Sequence, residues 1–293
     1  MKLLVTGGAG FIGSHLVDKL IDLGHIVTCI DDQSSTCNEE FYWNDKAYNV
    51  KASISQYKVL KNCMKRVDYV FHLAAHSRIQ PALLNPLECI DINVLGTANV
   101  LQAARECGVK KVIYSSTSSS YGLKNEPPLV ETMPTDCLNP YSVSKVAGEE
   151  LCRMYSELFG LDTITLRYFN VYGDRQPLKG AYAPVVGLFQ EQKKSGESLT
   201  IVGDGKQRRD FTHVDDVVDA NIKCMNDVSN EIINIGTGVN YSVQELADII
   251  SDDQIYIKER PGECRETLAC NSKARSLLGW TPTVNIMDWL RDN

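Results

Sequence analysis

Short apolar runs alternate with helix-length segments through about the first 170 residues of the chain. The apolar runs cover 2–6, 25–30, 67–74, 110–116 and 162–169, and the longest segments between them include 11–24, 86–107 and 141–159. Continuous apolar strands separated by helices are typical of parallel strands that are covered on both faces. The pattern therefore predicts an α/β fold of the Rossmann type, with a doubly wound parallel sheet.

Three glycines follow the first predicted strand and open the first predicted helix. They are Gly7, Gly10 and Gly13, and small residues at such a turn let the backbone approach a pyrophosphate at a helix N-terminus. The second strand ends near Asp31, whose carboxylate can accept hydrogen bonds from ribose hydroxyls and would repel a 2′-phosphate. Taken by themselves, the three glycines would also be explained by a tight strand–helix turn. Together with Asp31 they predict a dinucleotide site that takes NAD.

The regular alternation ends near residue 170. A turn-rich stretch follows at 171–184, and 202–211 has the composition of a glycine-rich polar loop. The sequence thus predicts a NAD-binding domain over 1–169 and a smaller α/β substrate-binding part over 170–293. Segments of the second part can cross back to the first.

A tyrosine and a lysine lie four positions apart where a helix is predicted. Pro140 can begin that helix, so Tyr141 and Lys145 share one of its faces. An ammonium beside a phenol favours the phenolate and lowers the tyrosine pKa. Together with the positive charge of an oxidised nicotinamide, it would produce a general base near neutral pH. Such pairs also occur by chance on solvated helices, so the spacing alone leaves both interpretations open.

Composition narrows the range of partners. The net charge of −7 argues against nucleic acid, because phosphate binding needs a basic face. The ten cysteines stand singly, so neither a zinc site nor a disulfide framework is indicated. The N-terminal apolar run is too short for a signal peptide, and no stretch reaches the length of a transmembrane helix. We therefore expect a cytoplasmic protein that binds no metal, nucleic acid or membrane.

Eight short motifs occur in a fixed order along nearly the whole chain. They are TGGAGFIG (6–13), HLAA (72–75), STSSSYG (116–122), YSVSK (141–145), LRYFNVYG (166–173), GDGKQRRDFTHVDD (203–216), NIGTG (234–238) and RPGE (260–263). In this set the chain resembles the extended short-chain dehydrogenase/reductase family, in its NAD-dependent epimerase/dehydratase branch, and most of all the UDP-glucose and UDP-N-acetylglucosamine 4-epimerases. The resemblance implies NAD as cofactor, a UDP-sugar as substrate, and a homodimer formed through a four-helix bundle of the helices around 86–107 and 141–159.

The resemblance also implies residue roles. Tyr141 is the catalytic base, Lys145 binds the nicotinamide ribose and lowers the tyrosine pKa, and Thr117 bonds the sugar O4. The implied cofactor residues are Gly7, Gly10, Phe11, Ile12, Gly13, Asp31, Asp32, Ser34, Ser35, Ser53, Ile54, Leu73, Ala74, Ala75, Asn93, Ser115, Tyr141, Lys145 and Phe169. The implied substrate residues are Thr117, Asn170, Arg209, Arg260 and Thr267.

Several of these assignments carry alternatives. The adjacent Arg208 can exchange roles with Arg209 at the substrate diphosphate. Thr267 falls where the family faces the sugar 2-substituent, and its small side chain leaves room for an N-acetyl group. His76 and Arg78 lie near the expected entrance to the site, where a structural role is favoured for His76.

The serine run limits the chemistry. Family members that eliminate water or decarboxylate carry acidic residues where this chain has Ser118 and Ser119. Serine has neither the charge nor the pKa for that work. What remains is 4-epimerisation of a UDP-sugar through a 4-keto intermediate. The alternatives are another C4-oxidising nucleotide-sugar enzyme, such as a reductase, decarboxylase or dehydratase, and a non-catalytic dinucleotide-binding protein.

Overall fold

Seven strands form one parallel sheet in the computed structural model, which describes residues 1–35, 38–178, 183–259 and 264–293. The described residues contain thirteen strands in all: β1 (Lys2–Thr6), β2 (Ile26–Asp31), β3 (Tyr48–Lys51), β4 (Tyr69–His72), β5 (Lys111–Thr117), β6 (Asp162–Tyr168), β7 (Val171–Tyr172), β8 (Leu199–Val202), β9 (Arg208–Asp210), β10 (Thr212–His213), β11 (Glu231–Ile235), β12 (Asn240–Ser242) and β13 (Gln254–Ile257). The order across the large sheet is β3-β2-β1-β4-β5-β6-β11. All its neighbours are parallel, and the order reverses between β1 and β4, so the predicted doubly wound fold is confirmed.

Helices connect and cover these strands. They are α1 (Phe11–Asp22), α2 (Tyr57–Cys63), α3 (Ile79–Leu84), α4 (Pro86–Ile90), α5 (Gly96–Cys107), α6 (Pro140–Phe159), α7 (Val185–Ser195), α8 (Val214–Lys223), α9 (Val243–Ile250), α10 (Ser272–Leu278) and α11 (Ile286–Asp292). The segment 86–107, predicted as one helix, is divided by a π-helical turn at Asp91–Leu95. None of the described helices combines the length and apolar character needed to cross a bilayer.

Part of the second half of the chain returns to the large sheet. Strand β11 pairs with β6 and forms its outer strand. The other late strands form small two-stranded sheets, β7 with β10, β9 with β12, and β8 with β13. Residue 169 therefore does not separate the large sheet from the rest of the chain, because β11 lies after it. The predicted boundaries of two domains stay a prediction.

The core lies on both faces of the sheet because successive side chains in a strand point to opposite sides. Leu3 and Val5 of β1 belong to the apolar cluster that α1 and α8 cover. Leu4 belongs to the opposite cluster, together with residues of α2, α5 and α6. A third cluster, with Phe189 and Leu246 among its members, is the core of the C-terminal part.

Helix α6 has strong start and stop signals. The Asn139 side chain accepts a hydrogen bond from the backbone of Ser142, whose hydroxyl returns a bond to the backbone of Asn139, and Pro140 occupies the first turn. Gly160 ends the helix in the left-handed conformation, with φ 68°. These signals fix the helix register and place Tyr141 in its first turn.

The contact between α6 and β5 allows no side chain at Gly148. A Cβ there would overlap the hydroxyl oxygen of Tyr114 and lie 2.5 Å from its Cζ, and Tyr114 is fully buried. We predict that Gly148→Ala lowers the free energy of unfolding by about 1–3 kcal/mol, although alanine favours a helix over glycine. Denaturant unfolding measures this change. In a protein that also carries Tyr114→Phe, which removes the hydroxyl, Gly148→Ala should cause a smaller loss. An unchanged denaturation midpoint for Gly148→Ala alone would contradict the contact.

Candidate active site

A cavity of about 620 Å³ opens at the carboxyl ends of the parallel strands. Its wall includes Gly7 after β1, Asp31 at the end of β2, Ala74 after β4, Thr117 at the end of β5 and Asn170 after β6. Open α/β sheets bind ligands at this edge, at the point where the strand order reverses. The topology thus brings together side chains that lie far apart in the sequence.

Most of the predicted site residues line this one cavity. Those that do are Gly7, Gly10, Phe11, Ile12, Gly13, Asp31, Asp32, Ser34, Ser35, Ile54, Leu73, Ala74, Ala75, Ser115, Thr117, Tyr141, Lys145, Asn170, Arg209 and Thr267. Asn93 and Phe169 are buried away from the cavity wall, and Ser53, partly exposed, accepts hydrogen bonds from Ser55. Arg260 lies outside the described residues.

The glycine loop is built for close approach of a ligand to the backbone. A Cβ on Gly7 would lie 2.7 Å from the Ala74 nitrogen, and one on Gly13 would overlap the Gly7 carbonyl oxygen. Gly7 also has a φ of +70°, which favours glycine. The absence of side chains at these positions leaves a smooth cradle before α1, and this fits a pyrophosphate.

The Asp31 carboxylate is held against that loop. One oxygen accepts from the Ala9 nitrogen at 3.1 Å and the other from the Gln33 nitrogen at 2.8 Å. Burial raises the carboxyl pKa, and the backbone hydrogen bonds act in the opposite direction. Asp31 and Asp32 both line the cavity beside the cradle, so a carboxylate is in place for ribose hydroxyls. The donor and acceptor set fits NAD.

Asn93 lies behind the cavity wall and connects two segments of that wall through hydrogen bonds. Its side-chain oxygen accepts from the His76 nitrogen at 2.8 Å, and its amide nitrogen donates to the His76 carbonyl at 3.0 Å. The same nitrogen donates to the Ser144 hydroxyl at 2.8 Å, which in turn donates to the Tyr141 carbonyl at 2.8 Å. One buried amide therefore ties the loop that carries Arg78 to the start of α6.

Tyr141 and Lys145 both line the cavity, but the influences that shift their pKa values differ from those expected. Burial raises the pKa of Tyr141, while the Thr117 hydroxyl and the charge of Arg78 lower it. The Lys145 ammonium lies 4.3 Å from the ring centroid of Tyr114, and burial lowers its pKa to about 8. The tyrosine pKa predicted to be lowered by Lys145 is thus raised here. Removal of the phenol from water outweighs the charges around it.

Thr117 ends β5 and caps the 3₁₀ turn that follows. Its hydroxyl accepts from the Ser119 nitrogen and donates to the Ser119 hydroxyl, both at 3.1 Å. Ser118 and Ser119 line the cavity beside it. Among the described lining residues, the acidic ones are Asp31 and Asp32 at the glycine loop, so this part of the wall has no carboxylate.

The two adjacent arginines of β9 have separate roles. Arg208 donates to Asn240 at 2.8 Å and to the Glu245 carboxylate at 3.0 Å, away from the cavity, whereas Arg209 lines it. The described structure therefore favours Arg209 at the cavity over the alternative. Thr267 lies close to Asn170, whose amide nitrogen is 3.4 Å from the threonine hydroxyl.

Other wall residues were not predicted as site residues. His76 and Arg78 were expected near the entrance, and both line the cavity. Further wall residues to which the sequence analysis gave no role include Gln80, Tyr121, Asn139, Gln207, Phe211 and Cys264. Of these, Asn139 carries a readable signal as the cap of α6, and the others belong to segments whose packing has no periodic pattern. The described residues contain no group of three or more metal-ligating side chains close enough to hold an ion.

Comparisons with known proteins point to one family. The model of the NAD dependent epimerase/dehydratase family matches residues 3–236. The UDP-glucose 4-epimerase of Mycolicibacterium smegmatis is 38% identical over 300 residues, covering 98% of this chain and 96% of that protein. The UDP-N-acetyl-alpha-D-glucosaminuronate decarboxylase of Bacillus cytotoxicus is 40% identical over 259 residues, covering 85% and 79%. The solved UDP-glucose 4-epimerase of Thermotoga maritima with UDP-glucose has a TM-score of 0.95 at 36% identity, covering 99% of this chain and 96% of that one.

The position of Arg78 leads to a prediction about the phenol of Tyr141. A nearby cation favours the phenolate, so Arg78→Met should raise the Tyr141 pKa further above its usual value. The ultraviolet absorbance of phenolate, titrated against pH and corrected with the matching Tyr141→Phe protein, measures it. Arg209→Met removes the same charge from the same cavity and should leave this titration unchanged. Identical Tyr141 titrations in Arg78→Met and the unmodified protein would contradict the prediction.

Proposed function

The chain belongs to the NAD-dependent epimerase/dehydratase family, and from this premise we propose that it catalyses the 4-epimerisation of a UDP-sugar. UDP-glucose and UDP-galactose are the first candidate substrates, followed by their N-acetylhexosamine forms. The resemblance seen in the sequence motifs is confirmed, and the cofactor is NAD. One observation carries the proposal. Thr117, Tyr141 and Lys145 share a cavity with the glycine loop, and the wall next to Thr117 has serines where acids would be needed for elimination.

The residues of the chain divide the work. When bound, NAD would supply the hydride acceptor for oxidation at the sugar C4 and, once reduced, the hydride donor for the return step. The cradle at Gly7 and Gly13 holds the cofactor pyrophosphate, and Lys145 binds its nicotinamide ribose. Tyr141 takes the proton from the sugar O4, and Thr117 holds that oxygen by a hydrogen bond. The phenol must ionise for this step, which burial opposes and the charge of Arg78 assists.

The substrate side of the cavity belongs to the second half of the chain. Arg209 and Asn170 face the UDP diphosphate in this proposal, since a guanidinium matches phosphate oxygens with parallel hydrogen bonds. Arg260 keeps its predicted role at the same group. Thr267 lines the cavity next to Asn170, and its short side chain leaves volume for a 2-N-acetyl group.

A decarboxylase is the second candidate. The relative from Bacillus cytotoxicus has that activity in its name and is 40% identical, so overall similarity does not separate the two reactions. The resemblance implies acids in decarboxylases where this chain has Ser118 and Ser119, and serine cannot donate or accept a proton near neutral pH as a carboxyl group can. A dehydratase would meet the same lack of an acid at this wall.

The proposal is tested with purified protein and NAD on a panel of UDP- and dTDP-sugars followed by NMR. We expect the C4 configuration of one UDP-hexose or UDP-N-acetylhexosamine to equilibrate without net NADH. Tyr141→Phe should lower kcat by about 10²–10⁴-fold, because it removes the proton acceptor. Carbon dioxide release would support the decarboxylase instead. If no sugar changes and Tyr141→Phe binds NAD like the unmodified protein, the non-catalytic alternative replaces this function.

We also propose a homodimer, formed through the helices around 86–107 and 141–159. Large apolar side chains are exposed on these helices, among them Leu87 at 83%, Leu95 at 56% and Leu158 at 70%. A second copy of the same face would remove them from water.

The dimer proposal predicts a change of mass in solution. Light scattering coupled to size exclusion should give about twice the chain mass, and Leu87→Glu should reduce it towards that of one chain because the interface would bury a charge. Leu23→Glu is the matched control, since Leu23 is also exposed but lies at the end of α1. A monomeric unmodified protein would contradict the proposal.

A further inference from the structure

A buried ion pair lies directly behind the hydroxyl run. Arg167 of β6 and Glu149 of α6 have side chains that are 3% and 2% exposed. The guanidinium Nε donates to one carboxylate oxygen at 2.9 Å, and Nη2 donates to the other at 2.6 Å. The Ser116 hydroxyl donates to the first of these oxygens at 2.5 Å. The pair is therefore bidentate and carries a third hydrogen bond from β5.

Stability alone is a poor reason for this arrangement. Two charges taken out of water lose their hydration, and apolar residues of the same volume are often as stable or more stable in such a place. The bidentate geometry, by contrast, fixes the direction of both side chains. The pair is thus better suited to setting positions than to supplying free energy.

The positions it sets are those of the candidate active site. Ser116 directly precedes Thr117, and Glu149 lies one helical turn after Lys145 on α6. The Arg167 guanidinium lies 4.8 Å from the ring centroid of Tyr121, in the turn that follows Thr117. One pair therefore joins β5, α6, β6 and the serine turn at the point where their functional groups meet.

Glu149 and Lys145 lie four positions apart on α6 and so share one face of that helix. Burial lowers the Lys145 pKa to about 8, and the negative charge of Glu149 acts against this. The titratable or charged groups around Lys145 are His72 of β4, Cys89 of α4, Tyr114 of β5, Arg167 of β6, and Tyr141, Glu149 and Cys152 of α6. Cys152 and Glu149 both act to raise the Lys145 pKa, but burial raises the pKa of Cys152 to about 12 and keeps that thiol neutral. Glu149 is therefore the group among these two that is negatively charged near neutral pH.

We propose that Glu149 and Arg167 are positioning residues of the reaction: through Ser116 they hold Thr117 against α6, and the Glu149 carboxylate acts on Lys145 from one helical turn away. This inference rests on the proposed function, because it takes Thr117 and Lys145 as working groups. Neither residue of the pair lines the cavity, so both act through their neighbours.

The test replaces the pair and compares it with an exposed pair on the same helix. Glu149→Leu with Arg167→Met removes both charges and keeps apolar volume, so that no single charge is left buried. Glu149→Gln removes the negative charge alone. The matched control is Glu150→Leu with Arg153→Met, whose side chains are 61% and 58% exposed and 2.9 Å apart. All are studied as NAD-bound proteins.

We expect the buried double variant to unfold within about 5 °C of the unmodified protein. Its kcat should fall about 100-fold with little change in KM, because the reacting groups lose their alignment. The exposed control should keep its kcat. Activity that needs charged Lys145 is present below the Lys145 pKa and is lost as pH rises through it. Since Glu149 raises that pKa, Glu149→Gln should move this loss to lower pH by about one unit.

The Lys145 pKa can also be measured directly, in an experiment that does not depend on enzyme activity. NMR titration of isotope-labelled lysine, assigned with Lys145→Arg, should give a lower Lys145 pKa in both Glu149 variants. A buried double variant with the kcat and Lys145 titration of the unmodified protein would overturn the inference. If the unmodified protein converts no UDP-sugar, the proposed function fails; a lowered Lys145 pKa in the variants then still supports the electrostatic part of this inference, and an unchanged one refutes it.

Discussion

The packing of α6 onto β5 is the contact on which the candidate site depends. Gly148 lets the helix approach the Tyr114 ring so closely that no Cβ fits between them. The same helix carries Tyr141, Lys145 and Glu149, and the last two are buried. Burial is the largest influence on the pKa of the tyrosine and of the lysine, and it favours the uncharged form of each. The remaining charges in the site act against that influence.

The charges that do so come from separate elements. Arg78 acts on the phenol from the loop before α3, and Glu149 acts on the ammonium from within α6. Hydrogen bonds hold both in register. Asn93 ties the loop to α6, and Arg167 ties Glu149 to β6. The site is therefore an electrostatic balance, in which burial is opposed at the phenol by Arg78 of the cavity wall and at the ammonium by Glu149 behind that wall.

The sequence predicted the features that depend on local rules. Parallel strands, the glycine turn at Gly7 and the start of α6 at Pro140 follow from apolar runs, backbone freedom and capping, which neighbouring residues determine. The tyrosine pKa could not be predicted in this way. Spacing places Lys145 on the same helical face as Tyr141, but the packing of β5 directs its ammonium to Tyr114.

Features that depend on partners distant in the chain also could not be predicted from the sequence. Arg208 and Arg209 are adjacent and chemically identical, and they separate because successive side chains of β9 point to opposite sides. The π-helical turn that carries Asn93 interrupts a segment whose apolar pattern is continuous. In both cases the deciding partner lies far away in the chain: Asn240 and Glu245 for Arg208, and Ser144 for Asn93.

Strand β11 gives the molecule a property that its linear division hides. It comes after most of the substrate side of the cavity in the chain, yet it completes the sheet by pairing with β6 along five residues. A chain that ended after β6 would leave one backbone edge of that strand without partners and expose apolar surface on both faces. The first half of the chain therefore depends on the second for a complete sheet, and a fragment that held only 1–169 would lack the outer strand β11.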